Sequence, residues 1–342
     1  MTKANGILVI VELKQGKPSG PTCELLGLAA LLAKDTGGKV FAAVFGSAID
    51  AATQTLIAHG ADIVYLADHP TLSEYQADAW VQSVAKITLQ AVPAIVLLNH
   101  TATGADLAPR LAFRLGTMVA MGAIELAVKD SAFHITRPCY GNNAREVLSI
   151  NTEPAIATVK AKTQEALVAD YGRVGEVISV PIDIDPATLR TRVVDRQREV
   201  SEGVSLESAT IIVAGGRGLG GPDGFRELEK LASQLGGAVG ASRVACDLGW
   251  CPPSWQIGLT GKTVAPDLYI AVGISGASHH LAGIGAAKTI VSINSDPDAA
   301  MFDEARYGIV GDHKEVLPAL VAEIHKMKST VTSGGQFTQG VG

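Results

Sequence analysis

The chain has 342 residues, 47% of them hydrophobic, which at about 150 residues per domain suggests two domains with buried cores and excludes disorder throughout. Only 18% of residues are charged, 5% are aromatic, and the formal net charge is -6. Neutralising a polyanion needs clustered Lys and Arg, and stacking on bases needs aromatic rings, so no nucleic-acid partner is expected.

The first third alternates short β-branched runs with longer amphipathic ones. Ile7–Leu13, Val40–Phe45, Ile63–Ala67 and Ala94–Leu98 have strand length and no polar alternation, as strands covered on both faces do. Helical patterns separate them at Pro21–Lys34, Ala48–His59, Glu74–Gln90 and Gly104–Leu115. This βαβ rhythm predicts a parallel sheet with right-handed crossovers. From Gly122 to about Ile182 short β-like pieces surround turn signals such as Gly141-Asn142-Asn143, and antiparallel strands added to the same domain are expected there. Asp183 to Ser208 is the richest charge run and reads as a solvated linker, compatible with a hinge.

A second βαβ series follows. Strands are expected at Thr210–Ala214, Ala238–Ser242, Leu268–Ile274, Thr289–Asn294 and Gly308–Val310. Helices are expected at Phe225–Leu235, Ser278–Ile284, Asp298–Arg306 and Lys314–Met327. The fold class is therefore α/β, two domains each with a mainly parallel sheet flanked by helices, the second of them Rossmann-like. The domains are placed at 1–205 and 206–328, with 329–342 a disordered Ser/Thr/Gly/Gln tail. No secretory leader or membrane-inserting stretch is read from the sequence, and Cys23, Cys139, Cys246 and Cys251 are expected to be buried free thiols, so the cytoplasm is the expected compartment.

Chemistry concentrates in the second half. Gly216-Arg217-Gly218-Leu219-Gly220-Gly221 lies between an expected strand and helix, the context of a dinucleotide-binding G-x-G-x-x-G. Three readings stay open: a nicotinamide-dependent dehydrogenase, a tight turn without ligand, and a turn at which Arg217 offers its guanidinium to a phosphate. The first lacks its ribose-binding acid, since Asp223 comes too early and Asp247 too late. Ser242-Arg243 ends a strand on the edge where open α/β sheets bind ligands. Gly258-Leu259-Thr260-Gly261 can bring backbone N–H groups and one hydroxyl close to a flat ligand. Ile270 to His280 runs from an apolar strand through Ser275-Gly276 into an expected helix N-terminus, which would favour an anionic ligand. Adjacent His279 and His280 diverge by about 100° on a helix and do not form a metal pair. Asn294 and Asp312 end two further strands. The chain lacks a G-x-S-x-G elbow, a Walker A motif and H-E-x-x-H, so the set reads as a cofactor-holding site rather than one acting on its own organic substrate.

These segments resemble the α subunit of electron transfer flavoprotein. The likeness is carried by Thr103 to Ala112, Arg137 to Asn143, Leu268 to Gly276, His280 to Gly283, Lys288 to Val291, Ile293-Asn294, Asp296-Pro297 and Tyr307 to Val310. It implies FAD held by the second domain, a β subunit closing the site in a heterodimer, electron-donating dehydrogenases and an acceptor oxidoreductase. It also implies roles: Arg217 and Ser242 on the cofactor, Arg243 against the isoalloxazine, and Ile257, Gly258, Leu259 and Thr260 beside the ring with Thr260 near its redox-active nitrogen. Ser275, Gly276, Ala277, Ser278, His279 and His280 would wrap ring and pyrophosphate, His280 at the pyrimidine end, with Asn294 and Asp312 at the adenosine. Two positions depart from the family pattern, Leu259 and His279, where Gln is usual.

Overall fold

The structure, a computed structural model, describes residues 4–129, 132–140, 144–191, 193–195 and 204–333. The chain divides into two compact units, 1–197 and 198–342.

In the first unit the elements run β1 (Ile7–Ile10), β2 (Leu13–Lys14), β3 (Lys17–Pro18), α1 (Gly20–Thr36), β4 (Val40–Gly46), α2 (Thr53–Ala58), β5 (Ile63–Asp68), α3 (Ala77–Ala91), β6 (Ile95–Asn99) and α4 (Ala102–Leu115). They continue as β7 (Val119–Ala123), β8 (Glu125–Lys129), β9 (Ala132–Cys139), β10 (Ala144–Ile150), β11 (Ala155–Val159) and β12 (Glu176–Ser179). A seven-stranded parallel sheet has the order β12-β5-β4-β1-β6-β11-β7. β1 explains the unbroken apolar run: Ile7 and Val9 enter the core on one face, Leu8 and Ile10 that on the other, all at most 2% exposed. α1 starts where Ser19 accepts from the Thr22 amide with Pro21 in the first turn, and stops at Gly37, whose φ of 67° is left-handed.

Three sequence expectations change here. Of the strands after Gly122, β8, β9 and β10 pair antiparallel, in a separate three-stranded sheet, whereas β11 and β12 rejoin the main sheet as parallel strands. All five residues of β11 are buried, the mark of a central strand, and its pattern Ala-Ile-Ala-Thr-Val lacks the alternation of a half-solvated hairpin. Ala48–His59 is broken into a 3₁₀ turn at Asp50–Ala52 and the six-residue α2. The start of the charged run is attached to the first unit rather than solvated: Ile184 is buried in its core, Leu189 packs beside it, and the Arg190 amide donates to Asp78 at 3.1 Å. Residues 192 and 196–203 of that run lie outside the described residues.

The second unit runs β13 (Ile211–Gly215), α5 (Pro222–Leu235), β14 (Ala238–Ala241), α6 (Arg243–Asp247), β15 (Leu268–Val272), α7 (Ser278–Leu281), β16 (Thr289–Asn294), α8 (Met301–Glu304), β17 (Tyr307–Val310) and α9 (His313–Ser333). Its five strands are all parallel, in the order β14-β13-β15-β16-β17. The chain leaves β13 toward β14 and then turns to the other side with β15, so the order reverses between β13 and β15. Outside the carboxyl ends at such a reversal is where doubly wound sheets bind ligands. α9 carries 329–333 as helix, against the expected disorder from 329. Ser, Thr and Val cost only a fraction of a kcal/mol each in a helix, and the stronger breakers, Gly334-Gly335, come later; residues 334–342 lie outside the described residues. No described helix is long and apolar enough to cross a membrane.

Candidate functional site

Because the five strands of the second unit are parallel, their carboxyl ends share one edge. Backbone bonds carry the ladder past each strand: Ser242 N to Gly215 O, Gly216 N to Val272 O, Gly273 N to Ile293 O and Gly311 N to Asn294 O, all 2.9 Å. Ser242-Arg243, Arg217, Ser275, Asn294 and Asp312 therefore lie along a single edge, as expected from their positions at strand ends. The loop from Ile257 joins them, since Ile257 N donates to Ala241 O at 2.9 Å and Leu259 N to His279 O at 2.7 Å.

At the reversal the glycines meet one another. A Cβ on Gly216 would lie 2.3 Å from the Gly273 carbonyl oxygen, and one on Gly218 would lie 2.7 Å from the Gly273 Cα. The Gly218 amide donates to Gly273 O at 3.0 Å. Thus Gly216 and Gly218 serve a backbone crossing between the turns after β13 and β15, whereas Gly220 and Gly221 face open space. Arg217, between the crossing residues, is exposed. β14 ends in Ala241 and Ser242 with no carboxylate, and Asp247 instead pairs with Arg243 across one turn of α6 at 3.3 Å. The acid that a nicotinamide ribose would require is absent from that strand end.

Around the loop, Thr260 accepts from the Gln256 amide nitrogen at 3.0 Å, and both Leu259 and Thr260 are exposed. Gly258 and Gly283 permit a close approach of this loop to α7: a Cβ on Gly283 would fall 2.5 Å from Gly258 N. The short helix expected at Ser278–Ile284 ends three residues early, at Leu281. α7 has four residues, and Ile274 to Ala277 belong to no helix or strand, so little macrodipole is available there. Gly276 reverses the chain at a φ of 84°.

The two histidines separate sharply. His279 is exposed, but His280 is 7% exposed and its Nε2 shares a 2.9 Å hydrogen bond with the hydroxyl of the fully buried Tyr269. Burial holds the His280 pKa down to about 4, the Ile257 backbone offsetting part of that, so the imidazole is neutral at physiological pH. Its Nδ1 is buried without a well-formed hydrogen bond. Asn294 is committed internally: its amide nitrogen donates to Ile274 O and its oxygen accepts from Asp296 N, both at 3.1 Å, which locks the turns after β15 and β16 together. Asp312 is exposed and accepts from the Lys314 amide at 2.9 Å, capping α9. The sequence did not reveal Gln256 on Thr260, Tyr269 on His280 or Asp247 on Arg243. Only the last had a signal, its i,i+4 spacing.

A family model described as the electron transfer flavoprotein domain matches residues 7–185, more than half of the chain, and one described as the electron transfer flavoprotein FAD-binding domain matches 205–285. The chain belongs to the electron transfer flavoprotein α-subunit family. Among relatives of this name, that of Thermoanaerobacterium thermosaccharolyticum is 41% identical over 330 residues, covering 96% of this chain and 100% of the relative. That of Bacillus subtilis is 42% identical over 322 residues, covering 94% and 98%. A protein of Anaerotignum propionicum named acryloyl-CoA reductase electron transfer subunit beta is 30% identical over 353 residues, covering 94% and 96%. The chain is accordingly an electron transfer flavoprotein α subunit, and its cofactor is FAD.

The residues present fit that cofactor. Two exposed guanidiniums, Arg217 and Arg243, suit a diphosphate and an anionic ring, exposed Ser275, Ser278 and Thr260 supply hydroxyls, and the buried Nδ1 of His280 has no well-formed hydrogen bond within the chain.

Proposed function

We propose that the carboxyl edge of the second unit holds FAD through Arg217, Ser242, Arg243, the Ile257 to Thr260 loop, the Ser275 to His280 turn, Asn294 and Asp312, and that an electron transfer flavoprotein β subunit closes the site in a cytoplasmic heterodimer. When bound, FAD supplies the capacity to take up and return electrons, which come from dehydrogenases and pass to an acceptor oxidoreductase. The supporting observation is the shared edge: polar side chains from all five strand ends line up there, and the charged and hydroxyl groups Arg217, Arg243, Ser275 and Asp312 among them are exposed.

Each residue then has a physical task. Arg243 places a fixed positive charge that favours an anionic ring over a neutral one. Thr260 offers its hydroxyl while Gln256 holds its orientation. His280, kept neutral and oriented by Tyr269, accepts or donates a hydrogen bond without adding charge. Asn294 positions the turns rather than reaching outward. Leu259 and His279 replace the amides usual in the family, so the ring meets an apolar side chain and an imidazole instead.

The test is purification of the chain with its β subunit, quantitation of flavin and partner, and measurement of the flavin midpoint potentials in Leu259→Gln and His279→Gln. One FAD per heterodimer and a shift of the potentials on restoring either amide are expected. A second flavin-free chain that never copurifies, or unchanged potentials in both variants, would overturn the assignment of partner or of the loop respectively.

A further inference from the structure

α6 ends abruptly at Leu248. Gly249 adopts a φ of 71°, its amide bonds to Cys246 O at 2.9 Å, and Trp250 N bonds to Ala245 O at 3.1 Å. This reversal folds the following residue back over the helix, so Cys251 comes to rest against Cys246 with the sulfurs 3.6 Å apart. Both are free and each is 8% exposed. Among the described residues no group of three or more His, Cys, Asp or Glu is placed to hold a metal ion, so the pair is not part of a cation site. A disulfide needs its sulfurs about 2 Å apart, an approach of about 1.5 Å from the observed separation, which is within the reach of side-chain torsions on a short helix.

We propose that Cys246 and Cys251 are an oxidisable dithiol, which a hydroperoxide closes to an intramolecular disulfide and a dithiol reductant reopens. With hydrogen peroxide, the Cys246 thiolate attacks one oxygen, the S–O bond forms as the O–O bond breaks, and the departing hydroxide takes the proton lost by Cys246 to leave as water. The Cys251 sulfur then attacks Cys246 Sγ, the S–S bond forms as the S–O bond breaks, and the second oxygen leaves as water with the Cys251 proton. Two thiols lose two electrons and two protons, and one peroxide becomes two waters. Cys246 Sγ also lies 3.6 Å from Pro252 O, and the order follows from the sulfur–sulfur contact: it lowers the Cys246 pKa, while the same contact and burial push the Cys251 pKa up.

Cys246 sits on the same five-residue helix as Arg243, so closure pulls on the element that carries that charge; this consequence, unlike the disulfide itself, rests on the reading of the edge as the FAD site. Cys139 is an internal comparator, half-buried with a 3.5 Å contact to Ala144 O and, among the described residues, no cysteine recorded against it.

The experiment treats the FAD-loaded heterodimer with hydrogen peroxide, alkylates remaining thiols under denaturing conditions, and maps the peptides by mass. Two of the four alkylatable thiols are expected to be lost, with the peptide bearing both Cys246 and Cys251 lighter by two hydrogens and restored by dithiothreitol. In Cys251→Ser the link is lost and Cys246 is instead trapped by dimedone as a sulfenic acid. Retention of all four thiols, or recovery of Cys246 and Cys251 as unlinked sulfinic or sulfonic acids, overturns the proposal. Absorbance is read on the same samples: a closed disulfide with an unchanged flavin spectrum would remove the tie to Arg243 and leave the dithiol standing.

Discussion

The two units share a plan, a parallel sheet whose strand order reverses beside its first strand, yet their carboxyl edges differ. In the first unit the polar groups at the reversal between β1 and β6 are spent on one another. Thr101 donates to the Glu12 carboxylate at 2.6 Å and accepts from Gly104 N at 3.0 Å, while Thr22 Oγ1 receives the Glu12 amide at 3.1 Å and the Asn99 amide nitrogen at 3.2 Å. Asn99 is 3% exposed, and burial raises the Glu12 pKa against the pull of Thr101. In the second unit the corresponding edge presents exposed Arg217, Arg243, Thr260 and Ser275. The same topology thus makes a closed polar core in one place and an open donor array in the other, and side chains, not strand order, decide which.

The largest effect that would break this contrast is expected from Gly276→Ala. Its φ of 84° disfavours any side chain, and the new Cβ would lie 2.2 Å from Met301 N, a backbone atom that cannot rotate away. A loss of about 4 kcal/mol in urea unfolding, with release of FAD, is expected from strain plus overlap.

Acid comes next. The His280 pKa is about 4 in the folded chain against 6.5 for the free group, so between these values the unfolded state binds more protons. The stabilising contribution is therefore complete above about 6.5 and is lost as pH falls toward 4, on the order of 3 kcal/mol over the window. In His280→Gln the slope of stability against pH in that window should flatten; Glu12, with its raised pKa, acts in the opposite sense, losing stability as pH rises through its folded value.

Arg217→Ala and Arg243→Ala are each expected to weaken FAD binding by roughly 10- to 100-fold, the cost of about 1.5 to 3 kcal/mol for a charge-assisted contact. Lys160, which directly follows the carboxyl end of β11 in the first unit, is the control: Lys160→Ala should leave the FAD dissociation constant unchanged, and a comparable loss there would erase the distinction between the edges. The smallest effect belongs to Asp247→Asn. Its ion pair with Arg243 is exposed on both sides, so unfolding should shift by under about 0.5 kcal/mol and FAD should still bind.

What was legible beforehand follows a physical line. Buried parallel strands announce themselves by unbroken apolar runs, as β1 and β4 do, and strand-end residues such as Asn294 follow from knowing where strands stop. β11 and β12 were misplaced because pairing direction is a long-range property that no local pattern encodes. The end of α7 at Leu281 rather than Ile284 was hidden for a similar reason: Gly283 approaches Gly258, a tertiary contact that replaces helix continuation. Likewise the glycine turn left three readings open because the residue that fills its space, Gly273, is more than fifty positions further along the chain.

That crossing of Gly216, Gly218 and Gly273 gives the edge between β13 and β15 a floor of bare peptide planes. Such a floor has no rotamers, so its dipoles hold their directions whatever charge appears above them. For a protein whose task is to pass electrons, a surface that does not relax when charge changes keeps the reorganisation accompanying each transfer small.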